Sequence, residues 1–306
     1  LVYVITQGAA LGLSASIAIA AATAACFAAF LFAERRQAHP MFDFSVFRNR
    51  SFSGAILGCI AMNVSYWPFM IYLPIYLQTG LGYDTLTTGL CLLAYTLPAL
   101  IFPPVGERLS LRYGPGVVIP SGLATIGLGF IAMKFGSIAA EPGWLTMLPG
   151  LLLAGIGIGI TNTPVTNTTT ASVPPSRAGM ASGIDMSARL VTLAVNIALM
   201  GILLVEGIAV ALRRTAPEGV EVAQLRAAAE AIAAGNAEAL ATGQAFIGNL
   251  PEALVHDGLI AGFGLVMLYG GAGALILALL SLALFRPRRE RPRLCPDGGP
   301  GSGYAP

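Results

Sequence analysis

The sequence predicts an all-α transmembrane protein with seven membrane-spanning helices. Three observations carry this prediction: the composition, the length of the apolar runs and the charge of the segments between them. Of the 306 residues, 56% are hydrophobic and 10% are charged, and the mean hydropathy is +0.76. Soluble domains carry about 25% charged residues. So few charges cannot cover a water-facing surface, whereas a helix surrounded by lipid needs no polar cover.

Seven apolar segments approach or exceed the ~20 residues that a helix needs to cross the hydrocarbon core. The fourth segment is short by hydropathy, and we expect its helix to begin nearer Tyr113. The predicted spans cover residues 9–33, 52–77, 86–105, 117–133, 145–165, 180–205 and 258–285.

Basic residues are divided unevenly between the two sides of this predicted bundle. Twelve fall in alternate connections and in the C-terminal tail, four fall on the opposite side, and Arg189 lies within a span. The positive-inside rule therefore predicts a cytoplasmic C-terminus and an N-terminus on the outside. The larger set is Arg35, Arg36, Arg48, Arg50, Arg108, Arg112, Arg177, Arg286, Arg288, Arg289, Arg291 and Arg293, and the smaller set is Lys134, Arg213, Arg214 and Arg226.

Two segments are predicted to lie outside the membrane in addition to the short connections. Residues 206–251 form an extracytoplasmic loop, in which AQLRAAAEAIAAGNAEAL favours one or two short helices. Residues 286–306 alternate arginine with proline and end in DGGPGSGYAP, which is typical of a disordered tail. Because the chain starts at Leu1 rather than at a methionine, we interpret it as truncated at its N-terminus or as a fragment.

Polar side chains inside the spans are the candidate functional residues. Asp185 and Arg189 stand four residues apart and therefore share a helix face. They either neutralise each other or form a pair that responds to substrate or protons. The second span combines amide and aromatic side chains, which suits a cavity for flat lipophilic compounds. The candidate cavity residues are Asn63, Tyr66, Trp67, Tyr72, Asn162 and Asn196.

Several classes of function are disfavoured by the sequence. The four cysteines form no CxxC pair and only two histidines are present, so we predict no metal site. No nucleophile–base arrangement or phosphate-binding loop appears, so we predict neither an enzyme nor a bound cofactor. The net charge of +2 is too small to indicate a nucleic-acid partner.

Four phrases occur in an order that resembles a known family. They are PMFDFSVFRNRSF at 40–52, LPIYLQTGLGYDTLTTGLCLLAYTLP at 73–98, PGLLLAGIGIGI at 149–160 and VPPSRAGMASGI at 173–184. Together they resemble the fourteen-helix drug:proton antiporters of the EmrB/QacA type, in the major facilitator superfamily. The resemblance implies a linking helix at 1–33, a cytoplasmic linker at 34–51 and a six-helix C-terminal transporter domain at 52–285.

The same resemblance implies what such a chain does. It implies proton-coupled efflux of hydrophobic drugs or similar small molecules across the bacterial inner membrane, with the proton gradient as the energy source. The partners implied are the lipid bilayer, lipophilic substrates, protons and an N-terminal half that this sequence does not contain.

One cytoplasmic connection is similar to a family motif only in part. The segment GERLSLRYG supplies Gly106, Arg108, Arg112 and Gly114 as loop-motif candidates. Leu111 stands where the family usually has an acid, so a charge-relay role for this loop is not supported by the resemblance.

Two other interpretations apply to a membrane protein of this size. A seven-helix retinal protein needs a lysine in its last helix, and the single lysine, Lys134, lies elsewhere. A half-size membrane protein that pairs with another subunit, as a transporter or a regulator, remains an alternative at the level of sequence.

Overall fold

The computed structural model describes residues 44–139, 143–215, 222–234 and 252–285, together with scattered positions between 17 and 36. Within these residues the regular structure is entirely helical, and a π-helical turn at Tyr76–Gly80 continues the second helix. The helices are α1 (Arg50–Val64), α2 (Tyr66–Ile75), α3 (Thr85–Ile101), α4 (Pro103–Tyr113), α5 (Pro115–Ser137), α6 (Trp144–Ala171), α7 (Ala178–Thr215), α8 (Val222–Ala233) and α9 (Glu252–Phe285).

The all-α transmembrane prediction is confirmed for the described part of the chain. Five helices there are long and apolar enough to cross a membrane, and the bent pair α3–α4 makes a sixth. These six correspond in order to the second through seventh predicted spans. The first predicted span, 9–33, falls largely outside the described residues, although a helical stretch is present at Ile17–Cys26.

The second span is divided at Ser65 into α1 and α2. Proline has no N–H to donate to the carbonyl four residues earlier, and its ring crowds that carbonyl. Pro68 therefore interrupts the ladder at Val64, which is the last residue of α1. The Ser65 hydroxyl instead donates to the Ala61 carbonyl oxygen at 2.9 Å, which satisfies one polar group at the break.

The third span bends by 41° between α3 and α4. Pro103 and Pro104 both lack the N–H that would continue the helix, and the residue before a proline is disfavoured in the helical region. The helix therefore ends at Ile101 and restarts at Pro103.

Close approach of α5 and α6 depends on glycines repeated every seven residues. Cβ atoms built on Gly129, Gly150 and Gly157 would lie 2.6–2.7 Å from backbone atoms of the facing helix. No side chain fits at that distance, so these positions allow the helix backbones to touch. Gly122 and Gly136 extend the same row along α5: Gly136 faces the backbone of Thr146, and Gly122 faces the hydroxyl of Thr161.

The sixth predicted span was placed at 180–205, but α7 continues to Thr215. The predicted loop at 206–251 therefore begins later than expected. The extension is helical because Gly207 packs against Gly262 of α9, and Ile208 and Leu212 are buried beside it. The short helix expected in this loop is present as α8, whose apolar face packs on α7; the residues from 235 to 251 lie outside the described part of the chain.

Candidate functional site

A cluster of charged and polar side chains joins α6 to α7 inside the membrane. The Arg189 guanidinium donates three hydrogen bonds: Nε to Asp185 Oδ2 at 2.9 Å, Nη1 to Asn162 Oδ1 at 2.9 Å and Nη2 to Thr166 Oγ1 at 3.0 Å. We call Asp185, Arg189, Asn162 and Thr166 the arginine cluster. The predicted pairing of Asp185 with Arg189 on one helix face is therefore realised in the geometry, and Asn162 is a third member.

The carboxylate of this cluster has unused bonding capacity. The Asp185 side chain is 9% exposed, and its second oxygen, Oδ1, has no hydrogen-bond partner. Buried carboxylate oxygens are normally satisfied, because leaving one unbonded costs free energy. Asp185 is thus a buried acid that is paired with one cation through Oδ2 and leaves Oδ1 without a partner.

Helix α1 closes the cluster on its inner side. The Cys59 thiol donates to the backbone oxygen of Asp185 at 3.8 Å, and the Asn63 amide nitrogen donates to the Cys59 carbonyl oxygen at 2.9 Å. Asn63 is buried, and its amide nitrogen therefore donates a hydrogen bond to an acceptor in its own helix. The predicted cavity residue Asn63 is therefore connected through Cys59 to the backbone of Asp185.

The opposite side of the cluster is open. Thr166 and Asn167 are exposed on α6, and the Asn167 amide donates to Glu107 Oε2 of α4 at 2.8 Å. Polar side chains inside a membrane face a water-filled cavity or another protein element rather than lipid chains. The face that presents Arg189, Thr166 and Asn167 is therefore suited to line such a cavity.

A second feature is a cavity of about 490 Å³ toward the opposite end of α7. Tyr72 lies in its wall, and its hydroxyl donates to the Ile197 carbonyl oxygen at 2.6 Å. Gly201 leaves the room for that hydroxyl, because a Cβ there would lie 2.8 Å from it. Arg226 and Glu230 of α8 form a 3.4 Å ion pair in the same lining. The wall is otherwise apolar, which suits a lipophilic molecule.

Comparison with known proteins decides the family. Residues 4–195 match the Major Facilitator Superfamily profile, which is more than half of the chain. The chain belongs to the major facilitator superfamily. It is a multi-pass membrane protein of that family, and its six described spans agree with one half of the family's fold.

Two groups of relatives have names that state a resistance role. The chain is 30% identical over 203 residues to the multidrug resistance protein Stp of Mycobacterium tuberculosis, a match that covers 66% of this chain and 37% of Stp. It is 31% identical over 201 residues to the quinolone resistance protein NorB of Staphylococcus aureus, which covers 64% of this chain and 43% of NorB. The chain thus spans less than half the length of these relatives.

Other predicted cavity residues of this major facilitator chain are engaged in packing. The Tyr66 and Tyr95 rings stack with centroids 4.2 Å apart, and each hydroxyl donates to the other residue's carbonyl oxygen, at 2.9 and 3.0 Å. This reciprocal pair holds the start of α2 against α3. Trp67 contacts the Tyr66 ring edge-on and is 36% exposed, so it stays accessible beside the pair.

Asn196 is also held by a hydrogen bond from another helix, which spacing along the sequence could not indicate. Its Oδ1 accepts a hydrogen bond from the Tyr269 hydroxyl of α9 at 2.5 Å, and its Nδ2 donates to the Thr192 carbonyl oxygen at 2.8 Å. Asn196 is buried between α7 and α9. The structure therefore assigns both polar ends of its amide to helix packing.

The partial loop motif lies at the junction of α4 and α5. Gly106 is buried against α6, and a Cβ there would collide with the Ile160 carbonyl oxygen. Gly114 has φ +81° and ψ 153°, a conformation essentially restricted to glycine, and it separates the two helices. Arg108 and Arg112 are exposed at this end of the bundle. The two glycines thus have geometric roles, and the arginines lie on the surface.

Sequence reasoning missed Thr166, Cys59 and Glu230. Thr166 follows Asn162 by four residues, so the helical repeat could have placed both on the face toward Arg189. Glu230 follows Arg226 by four residues, so the same repeat could have paired them. Cys59 carried no such signal, because it reaches Asp185 from a separate helix. No group of three metal-ligand residues occurs within the described ranges.

Proposed function

We propose that this chain forms part of a proton-coupled exporter of hydrophobic drugs or similar small molecules. The observation that carries the proposal is the arginine cluster, in which a buried carboxylate keeps one oxygen free beside a polar face. The names of the relatives, multidrug and quinolone resistance proteins, support an efflux role and drug-like substrates.

In the proposed mechanism, Asp185 alternates between a charged and a protonated state. The charged carboxylate holds Arg189 through the 2.9 Å ion pair. A proton on the free Oδ1 removes the charge of the carboxylate, which weakens its pair with Arg189 and leaves the guanidinium held by Asn162 and Thr166. A positively charged substrate close to Asp185 would be attracted only by the charged carboxylate, so a proton and the substrate would compete for that carboxylate, which is a means of coupling them.

The cavity beside Tyr72 is the proposed place for the lipophilic substrate. Its apolar wall offers burial, and the Tyr72 ring offers a face for flat compounds. The Tyr72 ring can also attract a positively charged compound to its face, whereas Glu230 is paired with Arg226 in the same lining. We include Trp67, which is exposed in the same span, as a candidate contact on the route to this cavity.

The proposed partners are protons, the bilayer and a second helical half. Exposed leucines recur on α3 at spacings of four and three residues, which gives one continuous apolar face. The polar face of the arginine cluster needs water or protein rather than lipid. We therefore propose that another half packs over that polar face and completes the cavity, while lipid covers the remaining apolar surface. The exposed apolar residues of α3 are Leu86, Leu90, Leu93, Leu97, Leu100 and Ile101.

The proposed location is the bacterial inner membrane with a cytoplasmic C-terminus. The helix directions place Arg48, Arg50, Arg108, Arg112 and Arg177 at one end of the bundle, which supports that end as the cytoplasmic one. Lys134, Arg213, Arg214 and Arg226 lie at the other end.

The test uses the full-length protein in inverted membrane vesicles with an imposed pH gradient and a fluorescent lipophilic cation. Asp185→Asn is expected to lower gradient-driven accumulation to the level of vesicles without a gradient. Substrate exchange at equal pH on both sides is expected to persist, because exchange needs no net proton movement. Asp257→Asn is the matched control, since Asp257 is an exposed acid on α9. Normal gradient-driven accumulation in Asp185→Asn would disprove the assigned proton role.

A further inference from the structure

A second cavity, of about 420 Å³, lies between α5, α7 and α9 at the end of the bundle where α5 and α7 end and α9 begins. It is separate from the arginine cluster and from the Tyr72 cavity. Three charged side chains and several small or apolar ones form its lining. The lining residues are Lys134, Glu206, Gly207, Val210, Ala211, Arg214, Ala261 and Leu265. We call this cavity the lysine groove.

Lys134 has an unusual position for a lysine. It lies on α5 three residues before the helix ends at Ser137, within a span that is otherwise apolar. Its amine crosses α9 at Gly264, where any side chain would collide with it. Within the described residues no ion pair reaches Lys134. A cation at the edge of a membrane span needs an anionic or polar partner, and none is bonded to Lys134 among the residues that the structure describes.

The two other charges of the groove lie on one face of α7. Glu206, Val210 and Arg214 follow one another at intervals of four residues, which aligns them along the helix. Glu206 and Arg214 are exposed, and in the part of the chain that is described no ion pair joins Glu206 to Lys134 or to Arg214. The groove therefore presents two cations and one carboxylate that have not neutralised one another.

An apolar track continues from the groove toward the middle of the membrane. Leu265 lies in the lining, and Leu268, three residues further along α9, is 52% exposed. Charges at a span end above these two leucines match the arrangement of a phospholipid, whose headgroup lies above its acyl chains.

We propose that the lysine groove binds a phospholipid with an ethanolamine headgroup. The phosphodiester lies between Lys134 and Arg214, and the primary ammonium donates to the Glu206 carboxylate. One acyl chain follows Leu265 and Leu268. The phosphate and the ammonium of this headgroup fit a lining that has two cations and one carboxylate. A glycerol headgroup has no ammonium and would leave Glu206 without a cation. A choline headgroup has no N–H to donate. The proposal does not depend on the transport activity.

Native mass spectrometry of the delipidated full-length protein tests this assignment. Phosphatidylethanolamine is titrated against phosphatidylglycerol and phosphatidylcholine of the same acyl chains. The wild type is expected to bind phosphatidylethanolamine most tightly. Lys134→Gln and Arg214→Gln are each expected to weaken that binding about fivefold, as for the loss of one cation near a phosphate. Arg213→Gln is the matched control, because Arg213 is an exposed neighbour that does not line the groove.

Two further variants keep the assignment testable. Glu206→Gln is expected to remove the preference for phosphatidylethanolamine over phosphatidylglycerol. Ala261→Trp fills the groove without changing a charge and is expected to weaken lipid binding as well. This variant therefore still tests lipid binding in the groove if Lys134→Gln does not fold.

Three results would overturn the proposal. The first is equal binding of the three lipids by the wild type. The second is normal phosphatidylethanolamine binding in Ala261→Trp, or in a folded Lys134→Gln variant. The third is displacement of the lipid by soluble glycerophosphoethanolamine in large excess, which would assign the groove to a soluble phosphate compound instead.

Discussion

Replacing Arg189 by glutamine removes the only cation that contacts the buried carboxylate of Asp185 in the described structure. The ion pair is 2.9 Å long, and the two side chains are 17% and 9% exposed. Breaking a buried pair by removing one partner costs about 3–5 kcal/mol, because the remaining charge is left without compensation. Since one side of the cluster is open, we expect the lower end of that range, about 3 kcal/mol of unfolding free energy.

The double variant Asp185→Asn/Arg189→Gln carries no unpaired charge. Exchanging a buried ion pair for neutral groups is often nearly free, so we expect the double variant to lie within about 1 kcal/mol of the wild type. Asn162 and Thr166 can still bond to the glutamine amide, which limits the loss further. The coupling energy between the two positions is therefore expected to be about 2 kcal/mol or more.

The assay is reversible unfolding of the full-length protein in mixed detergent micelles, measured for the wild type, both single variants and the double variant. Arg213→Gln serves as the control for loss of an exposed arginine from the same helix and is expected to change little. Additive losses in the two single variants would refute the reasoning, because they would mean that the pair is not energetically coupled.

Two smaller predictions concern the packing around the site. Tyr66→Phe and Tyr95→Phe each remove one hydroxyl of the reciprocal pair but keep the stacked rings. Each is expected to lower the unfolding free energy by about 0.6 kcal/mol, the average for hydrogen bonds inside membranes. No loss in either variant would show that the hydroxyls contribute nothing to stability. Gly114→Ala forces a Cβ onto a backbone with φ +81° and is expected to cost about 1–3 kcal/mol, measured by the same unfolding assay with Gly179→Ala, in open space, as control.

The order of the spans could be predicted from sequence because hydropathy and length act within one segment. Proline positions were equally informative, since Pro68 and Pro103 act on carbonyls only four residues away. The glycine repeat of α5 and α6 was also readable: positions 122, 129 and 136, and positions 150 and 157, are each seven apart. A repeat of seven places small residues on one helix face, which is the signal for close packing.

The candidate site could be predicted only where its members belong to one helix. Asp185 and Arg189 pair because four residues make about one helical turn. Tyr66 and Asn196 were expected to line a cavity, yet their polar atoms bond to Tyr95 and Tyr269. Those partners come from other spans, and the packing that brings them together depends on the whole bundle. Nothing in the local pattern distinguishes a polar side chain that lines a cavity from one that joins two helices.

The two parts of the proposed site are connected by a single rigid element. Arg189 and Ile197 are eight residues apart on α7, so the arginine cluster and the Tyr72 cavity are separated by about 12 Å along one unbroken helix. Between them, Asn196 fixes α7 to α9 through Tyr269. In the proposed mechanism, a change in the charge of Asp185 would alter how α7 packs against α1 and α6. Because an unbroken helix moves as a unit, that change would reach the carbonyl of Ile197 and the wall of the cavity without any intervening chain of side-chain movements. The bonds from Tyr72 and Tyr269 would then decide whether α7 tilts or turns about its axis, since they hold it from two sides.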